Sequence, residues 1–163
     1  PEAHIKVAGI SVLGVNGIKS RIKIPAYGKY LRRLILKNRL EGKVRVLGNL
    51  SAEEMKREYL SAQIFVCPSA VENSPNSVAE GQLLGVPVAA SRTGGIPDVV
   101  KDGVSGLLFE KGNIHELAAG VSRILTDKQL AKALSASERE TAAKLYNGEN
   151  NYQKLIEIYQ NIE

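Results

Sequence analysis

Short apolar runs alternate along the chain with longer stretches in which apolar positions return at helical spacing. In His4-Ile5-Lys6-Val7-Ala8-Gly9 the alternation, with β-branched Ile5 and Val7, predicts a first strand. Ser11–Ala26 contains glycines and no periodicity and reads as a long loop, which in a compact domain is functional or mobile. Tyr27, Tyr30, Leu31, Leu34, Ile35 and Leu40 mark a helical stripe over Tyr27–Leu40 with a basic opposite face. Val44-Arg45-Val46-Leu47 is a second strand, closed by Gly48.

Ser51-Ala52-Glu53-Glu54 is a capping box, so a helix is expected over Ala52–Ala62, with Met55, Tyr59 and Leu60 as its apolar positions. A buried strand over Gln63–Cys67 follows. The next stretch, Ser69 to Pro87, leads from a polar loop into a helix with Ser74 as expected N-cap and Pro75 at the first helical position. Gly85 and Pro87 end that helix, and Val88–Ser91 is the next strand. Thr93-Gly94-Gly95-Ile96-Pro97-Asp98 is a glycine-rich turn into a short helix over Asp98–Lys101; Asp102-Gly103 is a turn, and Gly106–Phe109 a strand. From Ile114 the chain is helical, over Ile114–Thr126, Lys128–Tyr146 and Asn150–Asn161, the last with Tyr152, Leu155, Ile156 and Tyr159 on one face.

Apolar strands separated by helices predict the α/β class: a Rossmann-like parallel sheet with helices on both faces. Ligands of such sheets sit at the carboxyl ends of the strands, so the loops after Gly9, Gly48, Cys67 and Ser91 are expected on the ligand edge. One helix start in particular, after the loop around Glu72, suits an anion, because its first backbone N–H groups lack intrahelical partners.

Composition narrows the function classes. The 163 residues, 44% hydrophobic and 24% charged, fit one globular domain over 1–163. No apolar run approaches the roughly 20 residues of a membrane span, and no signal-peptide pattern opens the chain. A single cysteine, Cys67, excludes an internal disulfide and a multi-cysteine metal site; set in a strand, it reads as a small core residue, and the expected compartment is the cytosol. The formal charge of +5 points to anionic partners, and Lys19, Arg21, Lys23, Lys29, Arg32, Arg33, Lys37, Arg39, Lys43 and Arg45 form a basic region. That region fits a solvated helix face, a phosphorylated ligand or an anionic membrane surface. Nucleic acid is disfavoured, since two Phe, six Tyr and no Trp give no stacking platform.

Glu72 and Glu80 stand with seven residues between them, flanked by Pro68-Ser69, Gly85-Val86-Pro87-Val88, Gly94-Gly95-Ile96-Pro97-Asp98 and Asp102-Gly103-Val104-Ser105-Gly106-Leu107. This ordered series resembles the C-terminal, nucleotide-sugar-binding domain of the GT-B retaining glycosyltransferases of family 4 (glycosyl transferases group 1). The resemblance runs from His4 to Tyr159. It implies that Glu72 is catalytic and contacts donor-sugar hydroxyls, that Glu80 binds the ribose hydroxyls, and that the Asn76 and Ser77 amides hold the diphosphate. Carboxylates suit these places because each accepts two hydroxyl hydrogen bonds, and charge-assisted bonds are the stronger kind. Where the family commonly has an aromatic–glycine pair, this chain has Ser74-Pro75; the proline removes one N–H, and the side chains of Ser74, Asn76 and Ser77 offer donors in its place. Gly94 and Gly95 are read either as donor-lining backbone or as a tight turn.

Plainer alternatives stand beside these roles. Glu80 can form a capping box with Ser77, Glu72 can be a surface carboxylate, Asp98 can serve the start of its own helix, and His4 and His115 read as structural or surface residues. The resemblance further implies a hexosyltransferase that uses a UDP-sugar or GDP-sugar, without metal or other cofactor, in polysaccharide or lipopolysaccharide biosynthesis. The acceptor, a sugar or lipid-linked glycan, would be held by an N-terminal domain that nothing here resembles. A peripheral position at the inner membrane face is compatible with the charge. The family's first strand and helix of this domain, with the basic residue that neutralises the diphosphate, are expected upstream of His4; none of Lys19, Arg21 or Lys23 takes that role by motif. The chain is therefore expected to be a fragment, inactive alone, with its sheet incomplete. Competing readings are another GT-B activity, such as a sugar-nucleotide epimerase or phosphorylase, or a non-catalytic nucleotide-binding module.

Overall fold

The computed structural model describes residues 3–9 and 26–162, so most of the expected 11–26 loop, with Lys19, Arg21 and Lys23, lies outside the described residues. The chain divides into two compact units, Pro1–Glu58 and Tyr59–Glu163.

In the first unit β1 (Ile5–Ala8) pairs in parallel with β2 (Val44–Gly48), Val7 opposite Val46, with a register shift before Ala8. The helix between them in sequence, α1 (Ala26–Lys37), stops three residues short of the expected Leu40. Arg39 takes a left-handed conformation (φ 53°), which an α-helix does not tolerate, and the Arg39 N–H turns to the Leu36 carbonyl. Lys29, Arg32, Arg33 and Lys37 are exposed, in keeping with a solvated basic face. The expected capping box forms: the Ser51 N–H donates to Glu54 Oε2 at 2.8 Å and the Glu54 N–H to Ser51 Oγ at 3.3 Å. It starts α2 (Ala52–Ser61), and the Ser51 N–H holds the Glu54 carboxyl below its ordinary pKa.

The second unit is built on a three-stranded parallel sheet in the order β3 (Phe65–Cys67), β4 (Val88–Ser91), β5 (Leu107–Phe109). Cys67 lies opposite Ala90, and Ala89 opposite Leu107. Every residue of β4 and β5 is buried, as apolar strands covered on both faces must be. Because side chains alternate across a strand, successive residues enter different cores. Leu108, Val88, Ala90 and Cys67 join Val78 of α3 (Asn76–Leu84) and Ile96 of α4 (Ile96–Val99) on one face. Leu107 instead joins Ile124 of α5 (Ile114–Thr126) and Leu134 of α6 (Lys128–Leu145) on the other. Helices on both faces of a parallel sheet are thus realised in this unit.

Local signals set the helix ends. Asn113 accepts from the Glu116 N–H and caps α5; Asp127 accepts from Gln129 and Leu130 and caps α6. Asn147 accepts from Asn150, so α7 (Gly148–Gln160) begins two residues before the expected Asn150. Its expected apolar face finds little cover, with Tyr152, Leu155 and Tyr159 exposed. The short α4 begins at Ile96 rather than Asp98, because Pro97 fits a first helical turn, and Val100 is already extended (φ −118°).

Candidate functional site

The loops after β3 and β4 leave neighbouring parallel strands at their carboxyl ends, and they carry the expected site residues to one edge of the sheet. The loop after β3 is tied down at its root. Ser91 Oγ donates to the Ser69 carbonyl at 2.6 Å, and Cys67 Sγ lies 3.5 Å from Ser69 Oγ. Cys67 is otherwise a buried core residue, as expected. At its far end the loop is anchored by buried Pro75.

The helix start differs from the expectation. Pro75, not Ser74, is the N-cap, and α3 begins at Asn76. Pro75 has φ −80° and ψ 73°, the inverse γ-turn conformation, and the Asn76 N–H donates to the Ser74 carbonyl at 2.9 Å. With that carbonyl occupied, the first helical acceptor is the Pro75 carbonyl, which takes the Val78 and Ala79 N–H groups at 2.9 and 3.1 Å. Among the described residues no side chain caps this end, and the Ser77–Glu80 capping box does not form. The Asn76 amide is turned back into the loop, while the Ser77 N–H has no partner among the described residues. Glu80, five residues past the cap, stands about 7.5 Å along the axis. It is exposed, and Glu72 is half-buried, with Oε1 accepting the neighbouring Asn73 N–H at 3.3 Å. The edge therefore presents two carboxylates with an unpartnered N–H at a helix start, a pattern that accepts hydroxyls and donates to an anion.

Gly94 and Gly95 lie against the backbone that carries Glu72. A Cβ on Gly94 would stand 1.6 Å from the Glu72 carbonyl oxygen, and one on Gly95 2.3 Å from the Asn73 carbonyl oxygen. The Gly95 N–H faces the Glu72 carbonyl at 3.4 Å. Gly94 also has φ +54°, where a side chain is disfavoured. These glycines let the second loop press onto the first, a support that motif reading does not reveal. Asp98 falls in the first turn of α4, the favourable place for a carboxylate, while His4 and His115 are exposed.

Two supporting residues escaped the sequence reading. Gln82, fully buried on α3, donates through Nε2 to the Val99 and Ser105 carbonyls at 3.0 and 3.2 Å and ties the site helix to the turn before β5. Tyr59, read as an apolar helix position, is 3% exposed and donates its hydroxyl to the Ser77 carbonyl at 2.9 Å. The available signal was its type, since a buried tyrosine needs a partner for its hydroxyl. On the far side of the unit, α6 holds the end of α3: Ser135 Oγ donates to the Gly85 carbonyl at 2.7 Å and Arg139 to the Leu84 carbonyl at 3.0 Å. Next to them the buried Glu138 accepts the Val88 N–H at 2.9 Å through Oε1, while Oε2 has no partner among the described residues. Burial pushes this carboxyl up to about 7.

Among the described residues no cluster of three or more His, Cys, Asp or Glu side chains is arranged to hold a metal, and no helix is long and apolar enough to cross a membrane.

The model of the family described as glycosyl transferases group 1 matches residues 1–141. The chain belongs to that family. An uncharacterised glycosyltransferase of Methanocaldococcus jannaschii is 26% identical to this group 1 chain over 98% of its length and 46% of the relative's. A putative colanic acid biosynthesis glycosyltransferase of Salmonella typhimurium is 28% identical over 98% of the chain and 42% of the relative. The crystal structure of Anabaena HepE in complex with UDP superposes over 99% of the chain and 42% of that protein, with a TM-score of 0.83 and 22% identity. The fold is accordingly the Rossmann-like C-terminal half of the GT-B architecture, and the chain spans less than half the length of these relatives.

Proposed function

We propose that this chain is the donor-binding half of a family 4 retaining glycosyltransferase that moves a hexose from UDP or GDP to a sugar or lipid-linked glycan. The observation that carries the reading is the juxtaposition, on one sheet edge, of the Glu72 loop, the unpartnered Ser77 amide and Glu80. In this reading Glu72 accepts hydrogen bonds from donor-sugar hydroxyls and is the catalytic carboxylate. The diphosphate lies at the helix start on the Ser77 amide and on donors from the Ser74 and Asn76 side chains, where the open end of α3 favours negative charge. Glu80 takes the ribose diol. As the bond between the anomeric carbon and the diphosphate oxygen breaks, charge grows on the leaving group, and the helix start stabilises it there more than in the ground state. No metal or other cofactor enters this scheme. The acceptor would come from another domain, beyond the half of the architecture described here. That Anabaena HepE, similar in fold over nearly the whole chain, was solved in complex with UDP supports nucleotide binding in this reading.

The test is calorimetric titration of the chain with UDP and GDP. Glu80→Ala is expected to abolish the ribose contribution to binding of whichever nucleotide the wild type takes, leaving a weaker phosphate-held remainder, with the melting temperature unchanged, since Glu80 is exposed. Equal binding by wild type and variant sinks the ribose role.

A further inference from the structure

The hydroxyl of Tyr59 sits beneath the exposed end of the nucleotide clamp. Its ring is buried and pinned at a T-shaped angle against Phe65, with centroids 5.2 Å apart and planes at 68°. A Cβ built on Gly81 would lie 3.6 Å from Tyr59 Cε1, so the ring runs along α3 beside Gly81 while its hydroxyl reaches the Ser77 carbonyl. Residues 77, 80 and 81 share one face of a helix, so Glu80 stands one turn from Ser77 on the face against which the Tyr59 ring packs.

We infer that Tyr59 is a positioning residue: its buried hydroxyl, fixed between the Ser77 carbonyl and the Glu80 carboxylate, holds Glu80 in the rotamer that receives the ribose diol. This inference rests on the ribose role proposed for Glu80. The physical reason is pre-organisation. Glu80 is an exposed side chain with several rotatable bonds, and left free it would have to lose that freedom each time a nucleotide binds. Tyr59, by contrast, is immobilised by the core, so one hydrogen bond to it transmits the rigidity of β3 and α3 to a surface carboxylate. Burial, and then the charge and hydrogen bond of Glu80, push the phenol well above its ordinary range. It therefore remains a proton donor throughout neutral pH. The phenolic proton faces both acceptors, and because a carboxylate offers two oxygens, Glu80 keeps one toward the Tyr59 hydroxyl while the other accepts the diol.

Tyr59→Phe keeps the ring and removes only the hydroxyl. Wild type, Tyr59→Phe and Glu80→Ala would each be titrated with UDP and GDP and with their 2′,3′-dideoxy forms. For the nucleotide that the wild type takes, Tyr59→Phe is expected to weaken binding about tenfold and to leave the dideoxy affinity unchanged. The unchanged dideoxy affinity also reports an intact fold and phosphate seat. If wild type binds ribo and dideoxy forms equally, the ribose role of Glu80 falls and this inference falls with it. If Glu80→Ala loses the ribo preference while Tyr59→Phe retains it in full, the ribose role stands and Tyr59 is only a packing residue. Equal weakening of ribo and dideoxy binding in Tyr59→Phe also overturns the inference, because loosening of the whole helix start explains it.

Discussion

Alanine at position 94 separates two effects that a glycine usually combines. Gly94 has φ +54° and Gly103 has φ +72°, so either substitution places a side chain in the left-handed region, at a cost of about 1 kcal/mol. Around Gly103 no atom of the described residues lies within 4 Å of the new Cβ, whereas at Gly94 it would stand 1.6 Å from the Glu72 carbonyl oxygen and 2.8 Å from the Glu72 carbonyl carbon. Backbone cannot rotate away as a side-chain tip can, so the loop carrying Glu72 must retreat by roughly 1.5 Å before the contact becomes tolerable. Displacements of about 1 Å are enough to lower site function by orders of magnitude. Both variants should therefore melt a few degrees lower, roughly 2–4 °C per kcal/mol for a chain of this size. Only Gly94→Ala should in addition weaken nucleotide binding, by about tenfold or more. Thermal melting together with calorimetric titration of both variants reads the difference. Nucleotide binding by Gly94→Ala equal to that of Gly103→Ala would refute the claim that the glycine turn supports the Glu72 loop.

Two further predictions concern the frame of the site. Burial raises the Glu138 carboxyl from 4.5 to about 7, so between these values the folded chain holds a proton that the unfolded chain has released. Stability should fall as pH rises through that window, by about 3 kcal/mol in total, and level off above about pH 7. Glu138→Gln should flatten the profile in urea titrations across pH 4.5–8, and an unchanged slope would show that another group sets it. Gln82→Leu keeps the side-chain volume but removes the donor to the Val99 and Ser105 carbonyls, so unfolding should require about 2–3 kcal/mol less. A loss well under 1 kcal/mol in chemical denaturation would mean that these carbonyls find other donors.

How far the residues speak for themselves differs from element to element. Strands such as Val88–Ser91 and the caps at Ser51, Asn113 and Asp127 are legible because their cause is local: alternation or burial in a run, and a side-chain oxygen within reach of the next turn's N–H groups. The helix ends that moved have causes a pattern does not carry. Arg39 adopts a left-handed backbone with no glycine to announce it, and the Asn76 N–H prefers the Ser74 carbonyl to an open helix start. Propensity rules rank residues at a cap, but the path of the chain across Pro75 is imposed by its burial in the loop.

The order of strands and helices, the parallel α/β class and the family are written in the chain itself, since they depend on periodicity and on an ordered series of motifs around Glu72 and Glu80. What holds that series in place is not. The bond from Tyr59 to Ser77, the reach of Gln82 across to Val99 and Ser105, and the contact of Gly94 with the Glu72 carbonyl all join residues 17 to 23 positions apart. No local rule relates residues at such separations. Only the folded sheet, by setting neighbouring strands and their loops side by side, makes them neighbours.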